Sequence, residues 1–234
     1  IIGHMPVYKA THVGYKVVKR HSDNSKHGGQ MSQVEIIVLA NSVKHNQHCV
    51  AGKLLDNSQW VRPVSNAQGG ELSDEQARIQ NPHGVFYVKP LQKIYMGLSS
   101  HAPLINQPEN YIIDNTIWRQ NYRVEVNDLV NYLDTPVDIW GKTDRVSFSL
   151  IQSGSIKIGQ SLYLLKISSL NLYKTQYNKR RASFTYNQVQ YDFAVTDPNF
   201  DRLIQNPADL AGILCVSLGE EYQGNCFKLI ATIF

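Results

Sequence analysis

The sequence predicts a mostly β fold, built from two halves of short strands with short connecting helices. Short apolar runs of strand length alternate with turn residues such as Gly, Asn and Pro along most of the chain. Thirteen tyrosines in 234 residues add to the strand signal, because aromatic side chains favour strands. A hydrophobic fraction of 42% and a charged fraction of 18% indicate a globular protein and exclude a disordered one.

The first half is predicted to contain five short strands and one helix. The short apolar run at 35–40 predicts a buried strand, and 48–53 and 59–64 are predicted as the second and third strands. Residues 72–80 are predicted as a short helix, because Ser73 and Gln76 have the spacing of a capping box. An alternating stretch at 85–95 is interrupted by Pro90, which indicates a bulge or an edge strand. Short strands that close around a small helix are the layout of an OB barrel.

The second half repeats this kind of layout after a connection. Residues 111–122 are predicted to connect, and 124–133 to form a helix that ends before Pro136, with one apolar face made of Val126, Leu129, Val130 and Leu133. Strands are predicted at 146–151, 161–170, 182–186, 190–196, 214–218 and 226–234. Asp197 and Pro198 are predicted to begin a short helix that ends at residue 204, with Asp197 as its N-cap.

Net charge, cysteine content and the distribution of apolar residues limit the class of protein and the compartment that we expect. The formal net charge of +4 permits contact with phosphate backbones without requiring it. Three cysteines, an odd number without a C-x-x-C pair, indicate free thiols in a reducing compartment. The sequence shows no secretory signal and no apolar run of about 20 residues, so we expect a cytoplasmic protein without a membrane contact. Residues 1–30 are interpreted as a leader, tag remnant or linker, with Met31 as the expected natural start.

Three polar segments stand inside the strand pattern of the first half. Asn41, Ser42, Lys44 and His45 follow a buried strand, where Ser42 and Lys44 would hold a phosphate and Asn41 would contact a base edge. The alternative is a turn in which Asn41 and Ser42 bond the local backbone.

The second segment contains Trp60, Arg62 and Ser65. Trp60 and Arg62 are two residues apart, so they share one face of a strand and predict a stacking surface beside a phosphate contact. The alternative places Trp60 in the core and pairs Arg62 with an internal acid such as Glu109.

The third segment surrounds a bend fixed by Pro108. The side chains of Asn106, Gln107, Glu109 and Asn110 would bond a base or a ribose, or would lock the connection between the two halves through bonds to the backbone.

Cations and aromatic residues alternate between residues 173 and 191. Tyr177, Lys179, Arg180 and Arg181 predict a hairpin with a basic outer face that follows a phosphate backbone. An ordinary solvated hairpin is the alternative.

Catalytic and metal-binding signatures are weak. His45, His48 and Cys49 are zinc-ligand types, but His48 and Cys49 point to opposite faces of a strand and no fourth ligand has a suitable spacing. The sequence has no phosphate-binding Gly-rich loop with a GK[ST] ending and no H-E-x-x-H. We therefore assign no catalytic residue, no metal and no cofactor, although a pairing of a thiol with a distant His stays open.

Taken in order, the polar segments 41–45, 49–53, 60–65 and 106–110 resemble the prokaryotic dual OB-fold domain family, with Thr196-Asp197-Pro198 and 217–220 completing the likeness. The resemblance implies a first OB-like barrel at 31–115, and a connecting helix with a second barrel at 116–234. It also implies a non-catalytic nucleic-acid-binding module that acts as a sensor or adaptor on single strands or nucleotides. Two alternatives stay open: a module that docks a partner protein, and a small-molecule or nucleotide pocket lined by Asn41, Lys44, Arg62 and Asn110.

Overall fold

A computed structural model describes residues 32–44 and 47–234 of the chain, so the expectations for 1–30 and for His45 lie outside the described residues. The eight strands of its first sheet are β1 (Ser32–Lys44), β2 (Gln47–Leu54), β3 (Trp60–Val64), β4 (Arg78–Asn81), β5 (Gly84–Tyr87), β6 (Gln92–His101), β7 (Asn110–Ile113) and β8 (Trp118–Arg123). The strands predicted at 35–40, 48–53 and 59–64 correspond to β1, β2 and β3.

Five of these strands close into a barrel in the order β1-β2-β3-β7-β6, and β6 returns to pair with β1. Closure depends on the length of β1, whose first half pairs with β6 and whose second half pairs with β2. A register shift between Val38 and Ala40 marks the bend between the two pairings. Strands β3 and β7 are parallel and the other neighbours are antiparallel.

The remaining strands of the first sheet correct two expectations. The stretch 111–122 is not a connector, because β7 and β8 occupy most of it and Trp118 of β8 fills the barrel interior at 1% exposure. The stretch 72–80 is not a helix either. Ser73 and Gln76 do exchange both capping-box bonds, at 2.9 and 3.2 Å, but β4 begins at Arg78 and ends the turn. Tertiary pairing of Ile79 with Phe86 and Trp118 therefore outweighs the local helix signal.

The second sheet has the same strand order as the first barrel. Its strands are β9 (Arg145–Ser147), β10 (Leu162–Lys166), β11 (Ser168–Lys174), β12 (Arg180–Tyr186), β13 (Val189–Val195), β14 (Ile213–Tyr222) and β15 (Asn225–Ile233). They run in the order β11-β12-β13-β15-β14-β10, with β13 and β15 parallel and β9 paired to β15. Strands β10 and β11 together take the place of β1, split at Ile167, so the expected single strand at 161–170 is two.

Short helices connect and flank the second sheet. They are α1 (Phe148–Gln152), α2 (Phe200–Leu203) and two 3₁₀ helices, Val126–Tyr132 and Pro207–Asp209. Because a 3₁₀ helix has three residues per turn, Val126, Leu129 and Tyr132 share the packed face, and Val130 is 59% exposed instead of joining it.

Two further expectations are wrong in this half. Helix α1 ends the strand expected at 146–151 after Ser147. Asp197 is not an N-cap, since Asn199 precedes α2; its carboxylate instead accepts the backbone N–H groups of Asn199 and Ile233, at 2.7 and 2.8 Å.

The packing explains how the two halves are joined. One apolar cluster fills each sheet's interior, and a third lies between the halves. Ala51 and Trp60, on the outer side of β2 and β3, contribute to this junction together with Leu162, Leu164 and Cys215 of the second sheet. The outer face of the second and third strands is where OB folds bind oligonucleotides. In the first barrel the second half of the chain covers that face.

Candidate nucleic-acid interface

The segment that begins at Asn41 is part of a strand and not a loop. Asn41 is buried; its Nδ2 donates to the carbonyl of Val88 at 2.7 Å and its Oδ1 lies 2.9 Å from Nδ1 of His48. Nε2 of His48 lies 2.9 Å from the Asp74 carboxylate. Ser42 is half-buried, and Lys44 ends β1. Asn41 therefore positions His48 and has no free group for a base edge.

Trp60 is buried in the junction, which corrects the expectation of a stacking surface. Its Nε1 donates to Asp134 at 3.0 Å, and Lys53 bonds the same carboxylate at 2.7 Å. The Lys53 ammonium also lies 5.2 Å from the Trp60 ring centroid. With 6% of its surface exposed, the indole offers no free face to a base.

Arg62 occupies a buried polar network at the same junction. Its Nη2 donates to Ser161 Oγ at 2.8 Å and to Ser217 Oγ at 3.2 Å, and lies 3.5 Å from Glu109 Oε1. Glu109 also accepts the backbone N–H of Ser161 at 3.2 Å. The alternative that paired Arg62 with Glu109 therefore matches the geometry, and both residues connect the two halves.

The bend at 106–110 lies between β6 and β7 and is also buried. Asn106 donates to the carbonyl of Gly219 at 3.3 Å, across the junction, and Asn110 donates to Gln107 at 3.3 Å. Ser65, half-buried at the end of β3, bonds Gly70 through its backbone. Asn106 therefore connects the two halves, whereas Asn110, Gln107 and Ser65 make bonds within the first half.

The hairpin between β11 and β12 is exposed, but its arginines are neutralised. Tyr177 is 76% exposed at the turn and Lys179 is exposed beside it. Arg180 bonds Asp201, which also pairs with Lys174 at 2.7 Å, and Arg181 bonds Asp192 at 2.7 Å. Hydrogen bonding to Lys174, together with Arg180, lowers the pKa of Asp201. This hairpin therefore offers less free positive charge than its sequence suggests.

A second exposed surface combines free cations with tyrosines, and the sequence interpretation missed it. On the outer side of β4, β8 and β6, the directly opposed pairs are Tyr95 with Arg119 and Lys93 with Tyr122. Gln80 of β4 lies beside Arg119, and Arg78 follows on the same outer side of β4. We call the set Arg78, Lys93, Tyr95, Arg119 and Tyr122 the basic face.

The charges of the basic face are not compensated within the part of the chain that the structure describes. Arg78, Lys93 and Arg119 form no ion pair there, and Tyr122 is 67% exposed. Glu35 of β1 is directly opposed to Tyr95 and accepts a bond from Asn121 at 2.8 Å. In β8 the buried Trp118 is followed by polar, mostly exposed residues without a clear alternation, so the strand carries little signal of its own in the sequence.

Two clefts separate the halves, and they carry opposite charge. One, here called the basic cleft, has a volume of about 700 Å³ and is lined by the cations Lys89, Arg123 and Arg202. The other, the acidic cleft, has a volume of about 590 Å³ and is lined by Glu71, Glu220 and Glu221. The two cations in the acidic cleft, Arg62 and Arg180, are already paired with carboxylates.

Three of the four polar groups proposed as one small-molecule pocket, Asn41, Arg62 and Asn110, do not converge. Asn41 lines the basic cleft, Arg62 lines the acidic cleft, and Asn110 is fully buried. The structure gives the end of β1 at Lys44 but does not describe its side chain.

The chemistry of the remaining groups does not favour a reactive centre. Burial raises the pKa of the Cys49 thiol to about 11, so the thiol is protonated near neutral pH. Within 32–44 and 47–234, no three His, Cys, Asp or Glu side chains group as a metal site would need. The helices described there are all too short or too polar to cross a bilayer.

Comparison with known proteins adds the family to this geometry. A family model described as a dual OB-containing domain matches residues 34–233, which covers both sheets. No curated protein and no solved structure shows significant similarity to the chain.

Proposed function

The chain belongs to the dual OB-containing domain family, and from this we propose that it is a non-catalytic module that binds single-stranded nucleic acid as a sensor or adaptor. OB folds host unrelated functions, so the site has to carry the proposal. The observation that carries it is the basic face, where uncompensated cations and exposed tyrosines are directly opposed on adjacent strands.

The arrangement of the basic face suits a single strand better than a duplex. Single-strand binding proteins combine a positive surface that follows the backbone with aromatic rings on which bases stack. Tyr95 and Tyr122 would supply stacking, at about 1–3 kcal/mol per base. Arg78, Lys93 and Arg119 would contact phosphates, and each contact would change the salt slope of single-strand binding by about 0.7.

The other exposed candidates are secondary in this proposal. Tyr177 and Lys179 would extend the contact on the second half, because both are exposed at a turn. Arg180 and Arg181 would add little net charge, since Asp201 and Asp192 already pair with them. Free thiols at Cys49, Cys215 and Cys226 support action in a reducing compartment such as the cytoplasm.

Fluorescence polarisation with labelled single-stranded DNA, single-stranded RNA and duplex at several salt concentrations tests the proposal. We expect single-strand binding that weakens steeply with salt. The double variant Lys93→Ala/Arg119→Ala should lower the salt slope by about 1.4, because two phosphate contacts are lost. Lys142→Ala/Lys157→Ala is the matched control, since it removes two exposed lysines from the second half.

Variants of Tyr122 measure the contribution of aromatic stacking to binding separately from the contribution of charge. Tyr122→Ala should weaken binding by about tenfold or more, whereas Tyr122→Phe should keep most of the affinity because the ring remains. Equal effects of the basic-face and control variants, or no single-strand binding at low salt, would contradict the proposal. In that case the exposed sheet would be tested as a surface for a partner protein.

A further inference from the structure

The proposed contact between single-stranded nucleic acid and the basic face does not involve the basic cleft, whose charge and size suit a separate ligand. Its volume of about 700 Å³ is in the range of cavities that bind nucleotide-sized ligands. Lys89, Arg123 and Arg202 line it from both halves of the chain, and none of them forms an ion pair with another described residue.

The acids that also line the basic cleft are already engaged. Asp74 bonds His48 at 2.9 Å, and Asp197 accepts the backbone N–H groups of Asn199 and Ile233. Burial raises the pKa of Asp197, and the two backbone bonds and the charge of Arg202 act in the opposite direction. With His48 neutral, the lining holds three cations, Lys89, Arg123 and Arg202, against the two carboxylates, so its formal charge is +1.

A buried hydroxyl in the same cleft has no partner. Thr232, near the end of β15, is 4% exposed and lines the cleft, and its Oγ1 makes no hydrogen bond in the described structure. An unsatisfied buried hydroxyl destabilises a fold, and an acceptor supplied by a ligand in the cleft would remove that cost.

The cleft lies at the end of β8, the strand that contributes Arg119 and Tyr122 to the basic face. Arg119 belongs to the basic face, and Arg123, at the end of the same strand, lines the cleft. A single-stranded nucleic acid that lies along β8 would place one of its ends at the cleft. A terminal phosphate monoester carries more negative charge than an internal phosphate, and its oxygens accept bonds from Arg, Lys and hydroxyl groups.

We propose that the basic cleft is a phosphate-monoester site, formed by Arg123, Arg202, Lys89 and Thr232. Its ligand is the terminal phosphate of a bound single strand or the phosphate of a free mononucleotide. The first source rests on the proposed function, and the second does not. The cleft would thus let the module distinguish a phosphorylated end from a hydroxyl end.

The first experiment compares one labelled single strand carrying a 5′-phosphate, a 3′-phosphate or hydroxyl groups at both ends. We expect one phosphorylated form to bind about tenfold more tightly, as for a charge-assisted hydrogen-bonded contact. Arg202→Ala should remove this preference and leave binding of the hydroxyl-ended strand unchanged, because Arg202 is outside the basic face. The control Lys142→Ala/Lys157→Ala should keep the preference.

Thr232→Val gives a readout that a merely structural role would not produce. The substitution keeps the shape of the side chain and removes an unpartnered hydroxyl, so we expect an equal or higher melting temperature together with a weaker phosphate preference. A variant that keeps the full preference would remove Thr232 from the site and overturn that part of the proposal.

Calorimetric titration with AMP and inorganic phosphate tests whether the cleft binds a free phosphate monoester as well as the end of a strand. The same titration separates the test of the cleft from the test of the proposed function. Binding of AMP that depends on Arg202, without strand binding, would support the cleft and contradict the strand contact. Strand binding without a phosphate preference and without AMP binding would overturn the cleft and leave the proposed function standing. If neither strand nor AMP binds, both fail.

Discussion

Arg62 shows how one residue can be assigned the right face and the wrong role. The period of a strand correctly places Arg62 on the side of Trp60, and that side is the junction between the halves. No local pattern reveals that a second sheet covers this side. The buried Arg62 guanidinium, bonded to Ser161 and Ser217 and beside Glu109, holds the halves together instead of contacting a ligand.

We expect Arg62→Met to lower the free energy of unfolding by about 3–5 kcal/mol, because Glu109 would remain buried without its cation. Urea unfolding followed by intrinsic fluorescence measures the change. Arg78→Met is the control, since Arg78 is exposed and lies over the ring of Tyr87, so its replacement should change stability by about 1 kcal/mol or less.

A double variant tests the physical cause of that loss. Arg62→Met/Glu109→Leu removes both charges, so it should recover much of the stability lost in Arg62→Met. A loss below about 1 kcal/mol in Arg62→Met alone would show that the network tolerates an unpaired Glu109 and would contradict the interpretation.

Among the elements, strands marked by continuous apolar runs were predictable and strands defined by pairing were not. Residues 35–40 form an apolar run that requires burial wherever it lies, and 59–64 contains Trp60, Val61 and Val64; both stretches are strands. The strand β8 begins with a single buried Trp118 and continues with polar residues that become a strand only because β6 and β4 pair with it. The basic face was missed for the same reason, since its cations come from strands that are far apart in sequence.

The turn between β12 and β13 carries a local strain that a substitution should relieve. Asn187 and Gln188 both have positive φ, 47° and 64°, as in a type I′ turn, for which Asn-Gly is preferred. Gln188→Gly should therefore raise the free energy of unfolding by about 0.5–1 kcal/mol. Urea unfolding measures the gain, with Gln190→Gly as the control.

The control should move in the opposite direction, because Gln190 lies within β13 and glycine weakens a strand interior. A destabilised Gln188→Gly would mean that the Gln188 side chain makes a contact that outweighs the relief of strain. Asn187 stays unchanged in both variants, since it bonds the carbonyls of Pro136 and Val137 at 3.2 and 3.1 Å.

At the scale of the molecule, the covered strand face of the first barrel sets where ligands can bind. The two halves meet through that face, and two clefts remain between them, the basic cleft and the acidic cleft. In the proposed function, the acidic cleft would repel a phosphate backbone and the basic cleft would attract it, so the charges of the two clefts would favour one path for a bound nucleic-acid strand. Family membership predicted two barrels, but the asymmetry depends on side chains from both halves and emerges only in the assembled fold.

We expect the two halves to unfold in a single cooperative transition. The junction cluster takes apolar residues from both sheets, and Asp134 bonds Lys53 and Trp60 of the first barrel as well as the backbone of Leu164. Neither half can lose its structure without exposing this cluster to water, so scanning calorimetry should give one peak whose calorimetric and van't Hoff enthalpies agree.

A charged residue introduced at the junction tests the expectation of a single unfolding transition. Leu164→Asp should lower the temperature of the single transition strongly, because it buries an unpaired carboxylate between the halves. Val137→Asp is the matched control, since Val137 is 90% exposed and its replacement should leave the transition almost unchanged. Two separate peaks, with Leu164→Asp moving only the one that belongs to the second half, would instead mean that the two halves fold independently of each other.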